Sequence, residues 1–448
     1  MKKIRNFISL AAASLLIASA GCGDVVPRES SVDTLAEVTS SSQTTAVTSA
    51  AKAVTTTAAV TTEKQIKTAV DPESANWQDN VRREETIVSP IDDGSNDTPS
   101  QPSAEIHTAS EKLASMSLRD KVYQMFIVTP ETLTGENLVT AAGPLTQAGL
   151  QDKKVGGIIY FARNLETVSQ TASMISNSQS FSETGLFIAV DEEGGTVARC
   201  GGKLGTTNFS DMAYYGQNCD TAAAYNIGST IGSDIAGIGF NVDFAPVADV
   251  DICEYNELGS RIFSSDPAVV SKMTAEVVRG LENSGVSATL KHFPGLGAGN
   301  GNTHNGSVVI DRSHDQLAAT EFMAFKGGID AGADFVMIGH QITTGSGDDL
   351  PGDLSYTVVT EWLRNELGFS GIAVTDAQAM GAIANNYSSA EAAMLSVQAG
   401  IDIILMPNNL DNAAQGIMNA VNSGQISEER INESLLRILS VKEKYGLI

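Results

Sequence analysis

The sequence has few cysteines for its length. Four occur in 448 residues, and three of them, Cys200, Cys219 and Cys253, lie beyond the N-terminal region. Their spacing matches no zinc-binding pattern such as C-x2-C, and three thiols can form at most one internal disulfide. We therefore expect small buried side chains at these positions and no zinc site.

Positive charge is also scarce. The chain has 28 lysines and arginines against 53 aspartates and glutamates, which gives a formal net charge of −25 at pH 7. This balance argues against binding to nucleic acid and against electrostatic docking on anionic lipid. A hydrophobic content of 42% with 41 glycines is instead typical of a globular α/β enzyme with an acidic, solubilising surface.

The apolar segment near the N-terminus is too short to span a bilayer comfortably. It covers residues 7–20, follows three basic residues and has the form of a signal peptide. The small residues before Cys22 resemble a bacterial lipoprotein cleavage site, with Cys22 as the lipidated residue. We expect residues 1–21 to be removed and the protein to be extracellular, anchored to the cell membrane by its lipid. Cleavage after Ala20 and soluble secretion is the alternative.

Residues 22–105 have the composition of a linker. Sustained apolar periodicity is almost absent, and residues 39–62 are nearly all Ser, Thr, Ala and Val. Such a segment cannot bury enough apolar surface to offset its chain entropy. We expect a disordered tether that holds the following domain away from the membrane.

The rest of the chain, residues 106–448, alternates apolar strand-like runs with helical segments. The sequence Ser117-x-x-Asp120 predicts a helix start, and an amphipathic helix closes the chain. Eight runs have strand character: 124–128, 156–161, 186–190, 240–245, 288–290, 335–338, 372–375 and 401–406.

Eight β/α units predict an α/β fold, a TIM (β/α)8 barrel forming a single catalytic domain. A doubly wound open sheet is the alternative. It is disfavoured because neither a G-x-G-x-x-G turn nor a P-loop follows any of the eight runs.

Polar side chains follow the C-terminal ends of the predicted strands. In a barrel these ends form one mouth, where active sites lie. Asp376 alone has an equally simple structural interpretation, as the N-cap of a following helix. The residues concerned are Asp191, Asp249, Lys291, His292, His340 and Asp376.

Two arginines and one loop add candidate groups. Arg199 and Arg261 have planar donors that suit an anionic or hydroxyl-rich ligand. The loop of residues 296–309 is rich in Gly and Asn, which predicts mobility. It contains no carboxylate, and His304 is its only titratable side chain.

Five segments in this order resemble glycoside hydrolase family 3. The form KHFPG is similar to the family's single-domain β-N-acetylhexosaminidase branch, of the NagZ type. The resemblance extends from about Leu113 to the C-terminus. The segments are VDEEGGTVAR (190–199), NVDFAPVADV (241–250), RIFSSDP (261–267), KHFPGLG (291–297) and VTDAQAMGA (374–382).

The resemblance implies a role for each matching residue. Asp376 matches the nucleophile that forms a covalent glycosyl-enzyme, and His304 matches the acid/base on the loop after the fifth strand. The residues that match those holding the sugar hydroxyls are Asp191, Arg199, Arg261, Lys291 and His292.

One departure from the family pattern lies beside His304. Asn302 replaces the aspartate that pairs with the histidine. An asparagine can orient the ring but supplies no charge, so His304 is expected to be a weaker base. A two-carboxylate mechanism through Asp311 or Asp315 is the mechanistic alternative.

The resemblance implies a secreted retaining β-N-acetylglucosaminidase without a metal or other cofactor. Its substrates would be terminal β-linked N-acetylglucosamine residues, from peptidoglycan fragments such as muropeptides. In many relatives a second domain supplies the acid/base; here Ile448 directly follows the closing helix, so the single-domain branch is expected. The alternatives are another sugar specificity, or a glycan-binding surface protein with weakened catalysis.

Overall fold

A computed structural model describes residues 108–448. The predicted signal peptide, the predicted lipidation at Cys22 and the predicted linker up to residue 105 lie outside the described residues. Within the described part, no helix is both long and apolar enough to cross a membrane.

The central element is a sheet of eight parallel strands. Its order is β7-β6-β5-β4-β3-β2-β1-β8, and β8 also joins β7 through a parallel bridge between Val374 and Ile403. The sheet therefore closes on itself, which confirms the predicted α/β TIM barrel. The strands are β1 Phe126–Val128, β2 Gly157–Ile159, β3 Phe187–Val190, β4 Val242–Asp243, β5 Ser287–Phe293, β6 Phe335–Ile338, β7 Ile372–Thr375 and β8 Ile404–Leu405.

The strands are buried on both faces, as parallel strands under a layer of helices are. Every residue of β3, β6 and β7 is buried. All eight predicted strands are present, but several differ in length. β5 continues to Phe293, beyond the predicted end at 290, so that Lys291 and His292 belong to the strand itself.

Helices connect the strands and surround the barrel. Within residues 108–448 the α-helices are α1 Ala109–Ser115, α2 Leu118–Gln124, α3 Pro130–Thr134, α4 Pro144–Asp152, α5 Val168–Phe181, α6 Arg199–Leu204, α7 Met212–Gly216, α8 Thr221–Ala236, α9 Pro267–Asn283, α10 His314–Ala319, α11 Glu321–Asp330, α12 Gly381–Ala384, α13 Ser389–Ala399, α14 Leu410–Asn422 and α15 Glu428–Lys444. Residues Thr357–Glu366 form a π-helix, and 3-10 turns cover Ala162–Asn164, Gly259–Arg261, Thr344–Ser346 and Gly352–Leu354.

Capping side chains explain where several helices begin. The Ser117 side chain accepts a hydrogen bond from the Asp120 N–H, so α2 starts where its sequence predicts. Asp266 caps α9 in the same way. The closing helix α15 buries the apolar face predicted for it, since Ile431, Leu435, Ile438 and Leu439 are all fully buried.

Two short sheets lie outside the barrel. Residues Glu192–Gly194 and Val197–Ala198 form an antiparallel hairpin directly after β3, and Val309–Ile310 pairs with Ile342–Thr343. The three cysteines of the described residues are free thiols; Cys200 is buried and the other two are half-buried.

Candidate active site

A cavity of about 370 Å³ opens at the C-terminal ends of the barrel strands, where this fold places active sites. Its volume is in the range of sites for small ligands. All seven catalytic and sugar-binding residues predicted from the sequence line it: Asp191, Arg199, Arg261, Lys291, His292, His304 and Asp376.

One buried carboxylate organises the basic side chains of the cavity. Glu193 binds Arg261 through both carboxylate oxygens, at 2.8 and 2.7 Å, and lies 2.6 Å from Lys291 Nζ. Burial opposes its ionisation, but the charges of Lys291 and Arg261 outweigh burial and lower the pKa of Glu193 to about 2. The two cations are therefore held in place before any ligand enters.

Lys291 has a second carboxylate partner at the cavity wall. Its Nζ donates to Asp191 Oδ1 at 3.0 Å. Burial by itself would lower the pKa of the Lys291 ammonium, but Asp191 and Glu193 raise it above its ordinary value. Lys291 thus stays charged, and three donors on one ammonium leave capacity for a ligand oxygen.

Arg199 is the first residue of α6 and has a free donor. The carboxylate of Glu192 accepts the N–H groups of Cys200 and Gly201 at 2.7 and 2.8 Å, which fixes the start of this helix. Arg199 Nε is buried without a hydrogen-bond partner among the described groups. A buried donor is costly to leave unpaired, so this guanidinium is suited to a ligand acceptor.

His292 is oriented by Asp249, which follows β4. Asp249 Oδ2 accepts both the backbone N–H of His292 and its ring Nδ1, each at 2.9 Å. Its other oxygen accepts the Leu296 N–H. The ring therefore has a fixed direction at the cavity wall.

Asp376 directly follows β7 and lines the cavity. The interpretation of this residue as a helix N-cap is wrong, because α12 begins only at Gly381 and its N-cap is Met380. Burial would raise the pKa of the Asp376 carboxyl, but His292, His340 and the Ala377 N–H together hold the pKa below its ordinary value. The group is an anion at neutral pH, as a nucleophile requires.

A buried ion pair lies behind Asp376. His340 Nδ1 contacts Asp353 Oδ1 at 2.9 Å, and Nε2 contacts the Ala377 carbonyl at 3.0 Å. Both partners are acceptors, so the ring donates from both nitrogens and carries a charge. Burial alone would lower the pKa of His340, but Asp353, Asp376 and the Ala377 carbonyl raise it to about 9.

The loop that carries His304 is anchored, which corrects the expected mobility. Leu296 and Val308 belong to a small apolar cluster with Leu258. The carbonyls of Thr303 and His304 accept the N–H groups at the start of α12, each at 3.1 Å. His304 itself is exposed and lines the same cavity as Asp376.

Two sequence predictions fit the structure less well. Asn302 is exposed and does not line the cavity; its Oδ1 accepts the backbone N–H of His304 at 2.9 Å, with no bond to the ring. Asp311 instead accepts from Thr344 Oγ1, and the Asp315 side chain is fully exposed. Because neither aspartate lines the cavity, the two-carboxylate alternative has no support.

The charged groups of the cavity hold no arrangement suited to a metal. Within residues 108–448 no group of three or more His, Cys, Asp and Glu side chains is placed to bind one. The carboxylates point instead at Lys291 and Arg261.

A family model described as "Glycosyl hydrolase family 3 N terminal domain" matches residues 117–441. The chain belongs to glycoside hydrolase family 3. The family match thus covers all eight barrel strands and every residue of the cavity named above, and the resemblance inferred from five segments is confirmed.

Named relatives within the family are similar over most of the barrel. "Beta-hexosaminidase A" of Pseudoalteromonas piscicida is 32% identical over 320 residues, or 65% of this chain and 53% of that protein. "Beta-hexosaminidase" of Nitrosomonas eutropha is 32% identical over 295 residues, or 64% of this chain and 81% of that protein.

A solved structure has the same fold. The family 3 β-N-acetylglucosaminidase from Paenibacillus sp. str. FPU-7 matches with a TM-score of 0.70 and 32% identity, covering 74% of this chain and 63% of that one. This chain therefore spans about half of the Pseudoalteromonas protein and under two thirds of the Paenibacillus protein.

Some groups of this family 3 site were not singled out from the sequence. Glu193 was visible only as one member of the acidic run at 191–193. Asp353 lies in the 3-10 turn Gly352–Leu354 and Glu257 in a loop, both without a recognisable motif. Their partners are His340, 13 residues away, and Thr303, 46 residues away.

Proposed function

We propose that the protein is a retaining β-N-acetylhexosaminidase that removes terminal β-linked N-acetylglucosamine. The observation that carries this proposal is the pairing of an ionised Asp376 at the cavity wall with His304 on a loop hydrogen-bonded to the start of α12. The names of the three relatives described above support the same activity.

The cavity suggests how the first step proceeds. Asp191, Arg199, Arg261 and Lys291 offer donors and acceptors to the hydroxyls of one sugar ring. Asp376 then attacks the anomeric carbon, and the bond to the leaving oxygen breaks. Protonated His304 gives its proton to that oxygen, so the aglycone leaves as a neutral alcohol.

The second step reverses the proton transfer. His304 is now neutral, and it takes a proton from a water molecule that attacks the glycosyl-Asp376 ester. Two displacements at one carbon restore its configuration. Because His304 is exposed and lines the cavity, water can reach the imidazole.

The test of the nucleophile is the pair Asp376→Ala and Asp376→Asn. We expect both variants to fold, since the Asp376 side chain makes one local hydrogen bond, from the Ala377 N–H, and the backbone bond to Ile338 is kept. Turnover of an aryl β-N-acetylglucosaminide should fall below a few per cent of wild type. Higher residual activity with an unchanged circular dichroism spectrum would mean that another group attacks.

The test of the acid/base is His304→Ala with two kinds of leaving group. A poor leaving group needs protonation, whereas an activated aryl group departs unaided. The variant should therefore lose about 10²–10⁴-fold more kcat/KM on disaccharides than on activated aryl glycosides. Equal losses on both would refute this assignment.

We further propose that the natural substrates are peptidoglycan fragments, including muropeptides. The proposal rests on the predicted export of the chain, since its outer location would bring it to the cell wall. Rates on N-acetylglucosaminyl-N-acetylmuramic acid and on chitobiose compare the two candidate glycans directly. A clear preference for chitobiose would contradict the peptidoglycan assignment.

Attachment through Cys22 to the outer face of the cell membrane is also a proposal. Metabolic labelling with a fatty acid should mark the wild-type protein, and Cys22→Ser should abolish the label and change the fractionation. Wild-type protein found only as soluble secreted chains starting at Gly21 would favour the alternative cleavage.

Two other functions are compatible with parts of the site. The absence of a charge at Asn302 favours a glycan-binding protein with weakened catalysis, which would bind N-acetylglucosaminides but turn them over slowly. A family 3 glycosidase of another specificity would prefer β-glucosides or β-N-acetylgalactosaminides. Rates across a panel of chromogenic β-glycosides separate both from the proposed enzyme.

A further inference from the structure

A carboxylate on a neighbouring loop binds the residue that directly precedes His304. Glu257 lies between β4 and α9, in the loop of residues 244–266, and lines the same cavity as His304. Its Oε1 accepts two hydrogen bonds from Thr303, from the backbone N–H at 3.0 Å and from Oγ1 at 2.8 Å. Thr303 directly precedes His304 and is buried.

The loop of residues 244–266 is a rigid support for this contact. The N–H groups of Ile252 and Cys253 both donate to the Gly297 carbonyl at 3.2 and 3.0 Å. Leu258, next to Glu257, packs in the apolar cluster with Leu296 and Val308 at the two ends of the His304 loop. The two loops therefore hold a fixed relation, with Glu257 at their junction.

Glu257 also retains an unused oxygen. Among the described groups none donates to Oε2, and the residue is half-buried at the cavity edge. Its carboxylate contacts Thr303, the residue directly before His304.

The other charges around the cavity are largely paired with each other. Lys291 binds Asp191 and Glu193, and Glu193 also binds Arg261.

His292 binds Asp249. Among the described charged residues that line the cavity with His304, those without an ion-pair partner are Glu257, Arg199 and Asp376. Asp376 is consumed when the glycosyl-enzyme forms, whereas Glu257 takes no part in the proposed bond changes and keeps its contact with Thr303.

We propose that Glu257 is the positioning residue for His304, in place of the aspartate that Asn302 replaces. Its hydrogen bonds to Thr303 hold the loop so that the imidazole faces the leaving oxygen. Its charge favours the protonated imidazole, the form that donates a proton in the first step. This inference rests on the proposed role of His304 as acid/base.

Two substitutions separate the positioning effect from the charge effect. Glu257→Gln keeps an oxygen that can accept from Thr303 but removes the charge. Glu257→Ala removes both. On a disaccharide we expect Glu257→Ala to lower kcat/KM by about 10–100-fold, the scale of a small misplacement of a catalytic group, with a much smaller loss on an activated aryl glycoside.

The pH profile reports the charge effect. The basic limb, the decline of kcat/KM on the alkaline side of the profile, reports the pKa of the essential acid in the free enzyme. Glu257→Gln should move this limb to lower pH by about 0.5–1 unit, because an opposite charge near the imidazole is lost. Glu254 is exposed on the same loop, and Glu254→Gln is the matched control that should leave the limb in place.

A double-mutant cycle excludes a merely structural role. If Glu257 acts through His304, then Glu257→Ala should cost less than about 3-fold in the His304→Ala background, since effects of groups that act as a unit are not additive. A loss of the same size in both backgrounds would overturn the proposal. So would an unmoved basic limb in Glu257→Gln, or an equal shift in Glu254→Gln.

The design keeps this proposal distinct from the function it rests on. If the loss in His304→Ala does not depend on the leaving group, the acid/base assignment is refuted, and the role of Glu257 that depends on it is refuted too. If that dependence is present while the Glu257 variants behave like wild type, the acid/base stands and only the role of Glu257 is refuted.

Discussion

At the scale of single residues, Glu193 connects Arg261 and Lys291, two of the proposed sugar-binding groups. It is buried, and it binds Arg261 in a bidentate manner while contacting Lys291. A fork-to-fork pair fixes the guanidinium plane as well as its position. The cavity therefore keeps its shape without ligand, and little conformational freedom is lost when a sugar binds.

We predict that Glu193→Gln weakens both stability and sugar binding. The amide cannot balance two buried cations, although Lys291 keeps Asp191. The free energy of unfolding should fall by about 2–4 kcal/mol, and KM should rise along with a lower kcat. Chemical denaturation and steady-state kinetics measure both; Glu361→Gln, at an exposed position, should change neither.

Asn302 gives a second prediction at this scale. Asn302→Asp keeps the acceptor for the His304 N–H and adds a negative charge, which favours the imidazolium. The basic limb of kcat/KM should therefore move to higher pH, by up to about 1 unit, and deglycosylation should become faster. Asn300→Asp adds the same charge elsewhere on the loop; a shift of equal size there would show that Asn302 has no special position.

At the scale of elements, the site depends on contacts between loops that follow different strands. The start of α12, after β7, donates to the carbonyls of Thr303 and His304, after β5. Gly381 makes this approach possible: an added Cβ would lie 2.8 Å from the His304 carbonyl oxygen. The backbone contacts of the two loops thus tie the segment that follows Asp376 to the segment that carries His304, the proposed nucleophile and acid/base.

We predict that Gly381→Ala separates these loops. The methyl group would meet backbone, which cannot rotate away, so the free energy of unfolding should fall by about 1–3 kcal/mol. Activity on disaccharides should fall by about 10²-fold through misplacement of His304. Gly306→Ala is the matched control, because a Cβ there has no neighbour within 4 Å. Similar losses in both would show that the loop contact is not the cause.

The barrel elements were predictable from sequence to different degrees. β6 and β7 begin and end as predicted because their apolar runs stop where the strands stop. β5 was predicted to end at 290, since Lys291 and His292 interrupt the apolar pattern while the backbone stays extended. Sequence motifs were sufficient to predict that Asp376 and Lys291 lie in one site. The contact of Glu257 with Thr303 spans 46 residues, and no local pattern indicates it.

At the scale of the whole molecule, a buried lysine affects stability. Lys442 on α15 is fully buried; its Nζ donates to Gln124 Oε1 at 2.8 Å and lies 5.0 Å from the centre of the Phe187 ring. Burial, assisted by repulsion from Lys112, lowers the pKa of Lys442 to about 7. The unfolded chain keeps this proton to a pH near the ordinary value of 10.5.

We predict that Lys442→Met changes the pH dependence of stability. Between pH 7 and about 10 the unfolded wild-type chain binds one more proton than the folded chain, so the wild-type free energy of unfolding rises with pH. From pH 6 to pH 9 this term amounts to about 2–3 kcal/mol, and the variant should lack it. Urea denaturation at both pH values measures the difference.

Lys272→Met serves as the control, because Lys272 is exposed. It should follow the wild-type pH dependence. A Lys442→Met curve parallel to wild type would contradict the neutralisation of Lys442 in the folded state.

The closure of the barrel also has a kinetic consequence. β8 pairs with β1 at Phe126 and Ile404, so closing the ring joins strands from the first and last units of the described chain. Such distant pairings form late in refolding. Recovery of the proposed glycosidase activity should therefore lag behind the return of helical signal after dilution from urea. The rate at which turnover returns would then measure the closure of the ring.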